Sequence, residues 1–472
     1  MNTSISSPAG LALWPVEEED DDPLTKQLPV TIQWNNIKVE FNQRFKRECR
    51  VLDEEQTIAP PEKDTTDYLK RRVLVGLCKS LMLYGAPCHR IEQSLENTAR
   101  FLDIHATFFF IPGIMMICFG ELEPQTLLVR CPQGFDMGKL ARVTEVANAI
   151  CKEHLSPKES IDRLDAIAAS SPTWNPWIMV GAHTISSLLT TPVMFRGSWT
   201  DTAVSGALGL LVGILTLLAD KYAAYSNIFE LSTTILVAFI AKALDQWVCF
   251  TGVSLSATAT LLPGYTLTMA ILELSAKHVI TGTIRFAYAL IYALFIGYGL
   301  EIGTSIYDAV DPSSSPTDFD TCSGTVPQWL IVLLFPLVAI SMAMTLGATM
   351  HQWPSMVCCS AVGFGMTLIT SKVISDYQIV GTLSAFSVGL FGNLYLKVTG
   401  DLALVPLSCG IVSLVPGSVG IQGAYYLIRQ DDQGTSFAIQ MVVASLGIAV
   451  GLFAATLIVY PRGRRPWVYL SY

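Results

Sequence analysis

The chain has 472 residues, of which 51% are hydrophobic and only 15% charged, with a mean hydropathy of +0.45. A soluble fold needs fewer apolar residues than that, and here they gather after residue 173 in runs long enough to cross a bilayer, so the sequence reads as a polytopic α-helical membrane protein. The formal net charge of −9 comes largely from Glu17–Asp22 and from a loop near Asp308–Asp320, both read as solvated, which argues against nucleic acid as a partner.

Residues 1–63 are acidic and spotted with proline (Pro15, Pro23, Pro29, Pro60, Pro61), the composition of a disordered tail. Within it only Ile32–Phe41 alternates enough to serve as a docking strand, and a floppy tail is the preferred reading. No basic stretch followed by an apolar one marks a secretory signal, so targeting falls to the first membrane span.

Residues 64–172 read as a soluble α+β domain. Leu69, Val73, Leu77 and Leu81 recur at helical spacing up to Gly85, and a second helix covers Arg90–Leu102. HATFFFIPG, IMMICFGEL and TLLVRC read as three strands turned at Pro112-Gly113 and Glu123-Pro124. Helices over Met137–Glu153 and from Ser156-Pro157 to about Ala169 complete it. FFFIPGIMMICF is apolar enough to imitate a span, but its Pro-Gly centre and flanking charges favour a hairpin of buried strands.

Beyond Pro172 ten spans are expected, near 175–195, 203–219, 228–244, 246–263, 280–304, 327–349, 355–372, 377–396, 402–416 and 436–460. They divide into a first half (173–305), an acidic connecting loop (306–326) and a second half (327–461), followed by a basic tail (462–472). Five spans per half is an odd number, which forces the second half in from the opposite side and makes the pair an inverted repeat. With the N-terminal domain placed in the cytosol, the inner loops hold Lys221, Lys277, Arg285, Lys397, Arg462, Arg464 and Arg465. The outer ones hold Arg196, Lys242, Lys372 and Arg429, so both termini are expected inside, with the choice of plasma or internal membrane open.

The 11 cysteines make no CxxC pair and no metal-ligand spacing. Their odd, scattered number argues against a disulfide framework and for small buried side chains, with no metal or cofactor expected.

The stretch Thr251–Arg285 organises the membrane part: an apolar segment breaks at Pro263-Gly264 and resumes as a helix carrying Glu273, Lys277 and His278. A second segment breaks alike at Pro416-Gly417, 153 positions on (416 − 263), and Trp177/Trp329 and Lys221/Lys372 keep nearly that offset. Paired interrupted segments in two halves point to the substrate site of a secondary transporter, whereas a single Pro-Gly reads as readily as a kink. The helices restarting after the breaks turn their positive ends toward them, a setting for a carboxylate, with Thr266, Thr268, Ser418 and Gln422 to supply polar groups. Glu273 and Arg285 flank the first break and are the candidates for a coupling proton or a substrate ammonium. His278 could join them, though a solvated interfacial histidine is preferred, and Asp220, Glu230, Lys242, Asp245, Glu301, Lys372, Asp376, Lys397 and Asp401 read mostly as interface markers. In GAPCHRIEQS, Cys88 and His89 are neighbours on a helix and therefore diverge, a poor nucleophile–base pair, while Arg90 and Glu92 suit structural or interdomain ion pairs.

Taken together, YGAPCHRIEQSLENTA (Gly85, Arg90, Glu92), LLPGYTLTMAILELSAKHVITGTIR (Pro263, Gly264, Glu273, Gly282, Arg285) and LVPGSVGIQGAYYL (Pro416, Gly417, Gly420, Gly423) resemble the threonine/serine exporter family over about residues 64–460. The resemblance implies a soluble N-terminal domain joined to ten spans in two related halves, and export of small hydroxy-amino acids driven by an ion gradient. The expected partners are then a small amino acid or organic acid, protons as coupling ion, and the lipid bilayer; a homo-oligomer is left open, and no enzyme activity is expected. The long acidic tail and acidic inter-half loop depart from the compact family pattern. An alternative is a membrane-anchored regulatory or adaptor protein acting through residues 64–171, and a third is a hydrolase using Cys88 or His89.

Overall fold

The computed structural model of the chain describes residues 50–51, 65–120, 125–152, 154–312, 322, 324, 326–415, 417–429 and 437–461. The acidic tail with its Ile32–Phe41 patch, most of the inter-half loop, Pro416, the Ser418 side chain and the basic C-terminal tail lie outside the described residues.

The N-terminal region runs β1 (Arg50–Val51), α1 (Thr65–Leu83), α2 (Cys88–Phe101), β2 (Ala106–Ile111), β3 (Ile114–Phe119), β4 (Gln125–Arg130), α3 (Met137–Cys151) and α4 (Pro157–Ala169). Helix α1 buries Val73, Leu77 and Leu81 at four-residue spacing. It stops because Gly85 takes φ +89, where a Cβ would lie 2.5 Å from the Gly134 carbonyl oxygen. The N–H groups of Gly85 and Ala86 then satisfy the last carbonyls at Met82 and Leu81. FFFIPGIMMICF is indeed a hairpin: Ile111 pairs with Ile114 across Pro112-Gly113, with Gly113 at φ +83 in an antiparallel sheet ordered β1-β4-β3-β2. On β3 the alternating Met115, Ile117 and Phe119 are buried, as a strand covered on one face requires.

The membrane part begins with α5 (Pro176–Met194), α6 (Trp199–Lys221), the short α7 (Ala223–Ser226), α8 (Phe229–Ala243), α9 (Phe250–Ala257), α10 (Gly264–Ser275) and α11 (Val279–Val310). It continues as α12 (Gln328–Thr345), α13 (Trp353–Thr370), α14 (Tyr377–Thr399), α15 (Leu404–Leu414), α16 (Gly417–Ile428) and α17 (Phe437–Val459). Among the described residues five helices are long and apolar enough to cross a bilayer, six if α9 and α10, bent by 53°, count as one broken span. The chain is therefore a helical, polytopic membrane protein with a small β-containing N-terminal region.

Apart from the short α7, three helices, an interrupted pair and a long helix follow one another twice along the chain. The two sets exchange their second half-helices. Met269, Ile271 and Leu272 of α10 share a core with Cys359, Ala385, Val388, Leu407 and Leu452 from the second set. Reciprocally, Ile421 and Tyr425 of α16 are buried with Ala238, Leu255, Ile296 and Leu300 from the first. Lipid gives no hydrophobic force between helices, so close packing through small residues holds them. A Cβ on Gly282 of α11 would meet the Leu274 backbone nitrogen at 2.9 Å and the Ala270 oxygen at 3.0 Å, so only glycine lets α10 and α11 fold back on each other.

One expectation is overturned. Cys249 and Cys322 form a disulfide across 73 positions, with Cα atoms 5.8 Å apart, and Cys131 is disulfide-bonded too. Spacing could not reveal the Cys249–Cys322 pairing because tertiary contact makes it: the Gly324 N–H donates to the Arg196 carbonyl at 2.9 Å, bringing the returning chain against the start of α9. Seven described cysteines are free, and Cys78, Cys88, Cys359 and Cys409 are the small buried side chains expected.

Candidate functional site

At the first break Leu262 is extended, as a residue preceding proline prefers, and Pro263 caps α10 with its carbonyl accepting the Leu267 N–H at 2.9 Å. Pro263 and Gly264 are buried, Thr266 is half-buried, and Thr268 is fully buried with no hydrogen-bond partner for its hydroxyl. The Tyr265 hydroxyl lies 3.3 Å from Ser408 Oγ on α15, and the Phe135 ring meets Tyr265 edge-on at 5.8 Å, so the start of α10 touches both the second set and the N-terminal region. In the second set Gly417 opens α16 and Gln422 is half-buried along it.

Glu273 does not sit at that break. It is nine residues past Gly264, about 14 Å along the helix at 1.5 Å per residue, at the far end of α10. Its carboxylate is fully buried: Oε1 accepts the Cys88 backbone N–H at 3.1 Å and Arg285 Nη1 at 2.6 Å. Oε2 is buried and has no hydrogen-bond partner. Cys88 opens α2, so the positive helix end facing this carboxylate is that of a helix of the N-terminal region, while the N-terminus of α10 stays at the break. Arg285, on α11, donates Nη2 to Gln133 Oε1 at 2.6 Å and lies 5.9 Å from the centre of the Phe110 ring. The turn from α10 to α11 that presents both charges puts Lys277 at φ +70, while the His278 N–H closes on the Glu273 carbonyl.

Glu92 works beside them. Its Oε1 accepts the Phe110 N–H at 3.0 Å and its Oε2 lies 3.3 Å from His278 Nδ1, an ion-pair geometry that crosses from α2 to the start of α11. Burial raises the Glu92 carboxyl above its ordinary range, with His278 and the Phe110 N–H opposing the shift. Thr281 Oγ1 adds a bond to the Phe110 carbonyl at 3.0 Å. Arg90 is buried within the N-terminal region, and Gly85 ends α1 just before this segment. Burial, and the Glu273 charge next, push the Cys88 thiol far above its ordinary range, which keeps it protonated and a poor nucleophile.

A second contact fixes the region to the other set of helices. Asp136 caps α3 through the Lys139 N–H at 2.9 Å and also accepts Thr173 Oγ1 at 2.7 Å. The next two N–H groups, Met137 and Gly138, donate at 3.1 Å each to the Leu346 and Gly347 carbonyls that end α12, and Trp174 Nε1 donates to Ala348 at 2.8 Å. The N-termini of α2 and α3 thus rest on one corner of each set, and apolar residues such as Tyr84, Met137, Phe335, Met356 and Leu404 form one continuous core between them. Gln133, Phe110, Tyr265 and Ser408 were not among the sequence candidates; only Asp136 had a readable signal, an N-cap residue just before a helix.

A helical membrane protein with two interrupted segments, one ending in a buried carboxylate paired with an arginine of the next helix, has the build of a membrane transporter. Residues 72–307 match the family described as putative threonine/serine exporter, and residues 331–458 match threonine/serine exporter, ThrE. The chain belongs to the threonine/serine exporter family. It is similar to proteins named pheromone-regulated membrane protein 10. Identity is 33% with that of Saccharomyces cerevisiae, covering 84% of this chain and 55% of the relative. It is 32% with that of Kluyveromyces lactis (84% and 45%) and 31% with that of Candida albicans (84% and 39%). The chain spans about half the length of these curated relatives. No solved structure matches it.

Proposed function

We propose that this chain is a secondary active transporter of ten spans in two inverted halves, exporting threonine, serine or a related small amino acid by exchange with protons. The observation that carries the reading is the Glu273 carboxylate: fully buried, held at Oε1 by Arg285 and a helix N-terminus, with Oε2 unpartnered. An unsatisfied buried carboxylate oxygen is costly unless a proton or a cationic group visits it, which is the work of a coupling site. The direction of the broken pairs supports the inversion. Helix α10 ends against the N-terminal region at Cys88, while α15 begins there, Leu404 and Val405 lying in the core shared with Met137. One broken segment therefore exits where the other enters, and Pro263, Gly264, Thr266 and Thr268 of the first, with Pro416, Gly417, Ser418 and Gln422 of the second, are the residues assigned to the transport path. Arginines in the C-terminal tail favour a cytosolic face for both termini and for the N-terminal region.

The test is efflux of labelled threonine and serine from proteoliposomes holding the full chain, with and without a proton gradient. Gradient-dependent flux is expected, and the paired Pro263→Ala/Pro416→Ala variant should lose it by straightening both breaks. Absence of flux for every small amino acid tried, from folded protein, would overturn the reading in favour of the adaptor role.

A further inference from the structure

Helix α11 carries a second ion pair at its other end. Arg285 and Glu301 lie 16 residues apart (301 − 285), about 24 Å along the helix, approaching the roughly 30 Å of a hydrocarbon core. Between them Ala289, Ala293 and Gly297 follow Arg285 at four-residue spacing and form one slanted ridge that winds about 40° around the helix at each step. Leu267 of α10 and Ala424 of α16 are buried together against Ala289 and Ala293. A Cβ on Gly297 would lie 2.7 Å from Ala424 Cβ and 3.0 Å from the Tyr425 nitrogen. This ridge of α11 is thus a common track for both half-helices.

Each half-helix is tied to this track by one arginine–glutamate pair at its far end, with reversed polarity. On α10 the half-helix supplies Glu273 and α11 supplies Arg285; beyond the end of α16 the chain supplies Arg429, whose Nε lies 3.6 Å from Glu301 Oε2 of α11. Arg429 Nη1 also donates to the Tyr425 hydroxyl at 2.9 Å, and Ser305 Oγ donates to Glu301 Oε1 at 3.1 Å. The two pairs differ in cover. Side-chain exposure is 13% and 0% for Arg285 and Glu273, which lie under Gln133 and α2, against 32% and 20% for Arg429 and Glu301.

We infer that Glu301 and Arg429 form the gate on the face opposite the N-terminal region, and that transport proceeds by parting this pair and the Glu273–Arg285 pair in turn. The inference rests on the transporter reading. Helix α11 is the fixed element: α10 leaving it opens a path beside the N-terminal region, and α16 leaving it opens the other face. The more exposed pair is the weaker latch, because water replaces its contacts.

The test reads access and needs no substrate, so its failure is separable from failure of the exporter reading. A Thr266→Cys reporter near the first break is labelled in the reconstituted full chain with a membrane-impermeant methanethiosulfonate applied from either face, the chain without the added cysteine serving as blank. Adding Glu301→Gln should raise the labelling rate from the face opposite the N-terminal region by roughly fivefold, the factor that a partly exposed ion pair is worth, and leave the other face unchanged. The swapped Glu301→Arg/Arg429→Glu variant should return the rate to that of the parent. A rate unchanged by Glu301→Gln, raised equally on both faces, or not restored by the swap would overturn the gate.

Discussion

Glu273→Gln is the perturbation that tests the site most directly. The amide keeps the volume of the carboxylate and one carbonyl oxygen, so the Cys88 N–H and Arg285 Nη1 retain an acceptor. What is lost is charge. A hydrogen bond to a charged group contributes about 1.5–3 kcal/mol and a neutral one about 0.5–1.5 kcal/mol, so the bonds at Oε1 should weaken by about 1–3 kcal/mol together. The full cost of orphaning a buried charge, about 3–5 kcal/mol, is not reached because Arg285 stays bonded to Gln133 and reaches some solvent; Glu273→Ala, which removes the acceptor, should approach that cost. At Oε2 the effect is on function. A nitrogen with two hydrogens there can neither accept a proton nor bind an ammonium, and 1–3 kcal/mol at the transport barrier is roughly a 5- to 150-fold loss. Thermal unfolding of the purified protein and gradient-driven threonine efflux measure the two effects separately. A folded Glu273→Gln protein with parental flux and parental proton dependence would refute the coupling role. If Glu273→Ala proved no less stable than Glu273→Gln, the account of Oε1 would fall.

Two further outcomes follow from the contacts around the site. Burial raises the Glu92 carboxyl, so the folded protein holds that proton to higher pH than the unfolded chain does; the group's contribution to stability is fully present below its ordinary value of 4.5 and is lost as pH rises through the raised value. Thermal unfolding measured from pH 4.5 upward should show this decline, Glu92→Gln should flatten it, and an identical slope in both proteins would remove Glu92 as its source. The Cys249–Cys322 bond closes 73 positions, so Cys322→Ser should lower unfolding stability by about 2–4 kcal/mol. Cys249→Ser should do the same with no added loss in the double variant, whereas additive losses would show that the thiols act independently.

Hydrophobic runs, helix stops and turn chemistry are local, so the sequence alone carried the helical membrane character, the β2–β3 hairpin turned at Pro112-Gly113, the stop of α1 at Gly85 and the break at Pro263-Gly264. The second interruption, between Leu414 and Gly417, was legible for the same reason. Glu273 and Arg285 were recognisable as charges too costly to place in a bilayer without a partner. Their arrangement was not. That Glu273 faces the N-terminus of α2, that Gln133 and Phe110 close over Arg285, and that Glu92 reaches His278 depend on groups up to 186 positions apart (278 − 92). No periodicity encodes such a meeting. The same holds for Cys249 and Cys322, for α10 and α16 crossing into each other's cores, and for Arg429 reaching Glu301. A residue's type and spacing fix which face of its own element it occupies; which carboxylate meets which helix end is decided only when the elements pack, because burial, and with it the strength of every charge, exists only there.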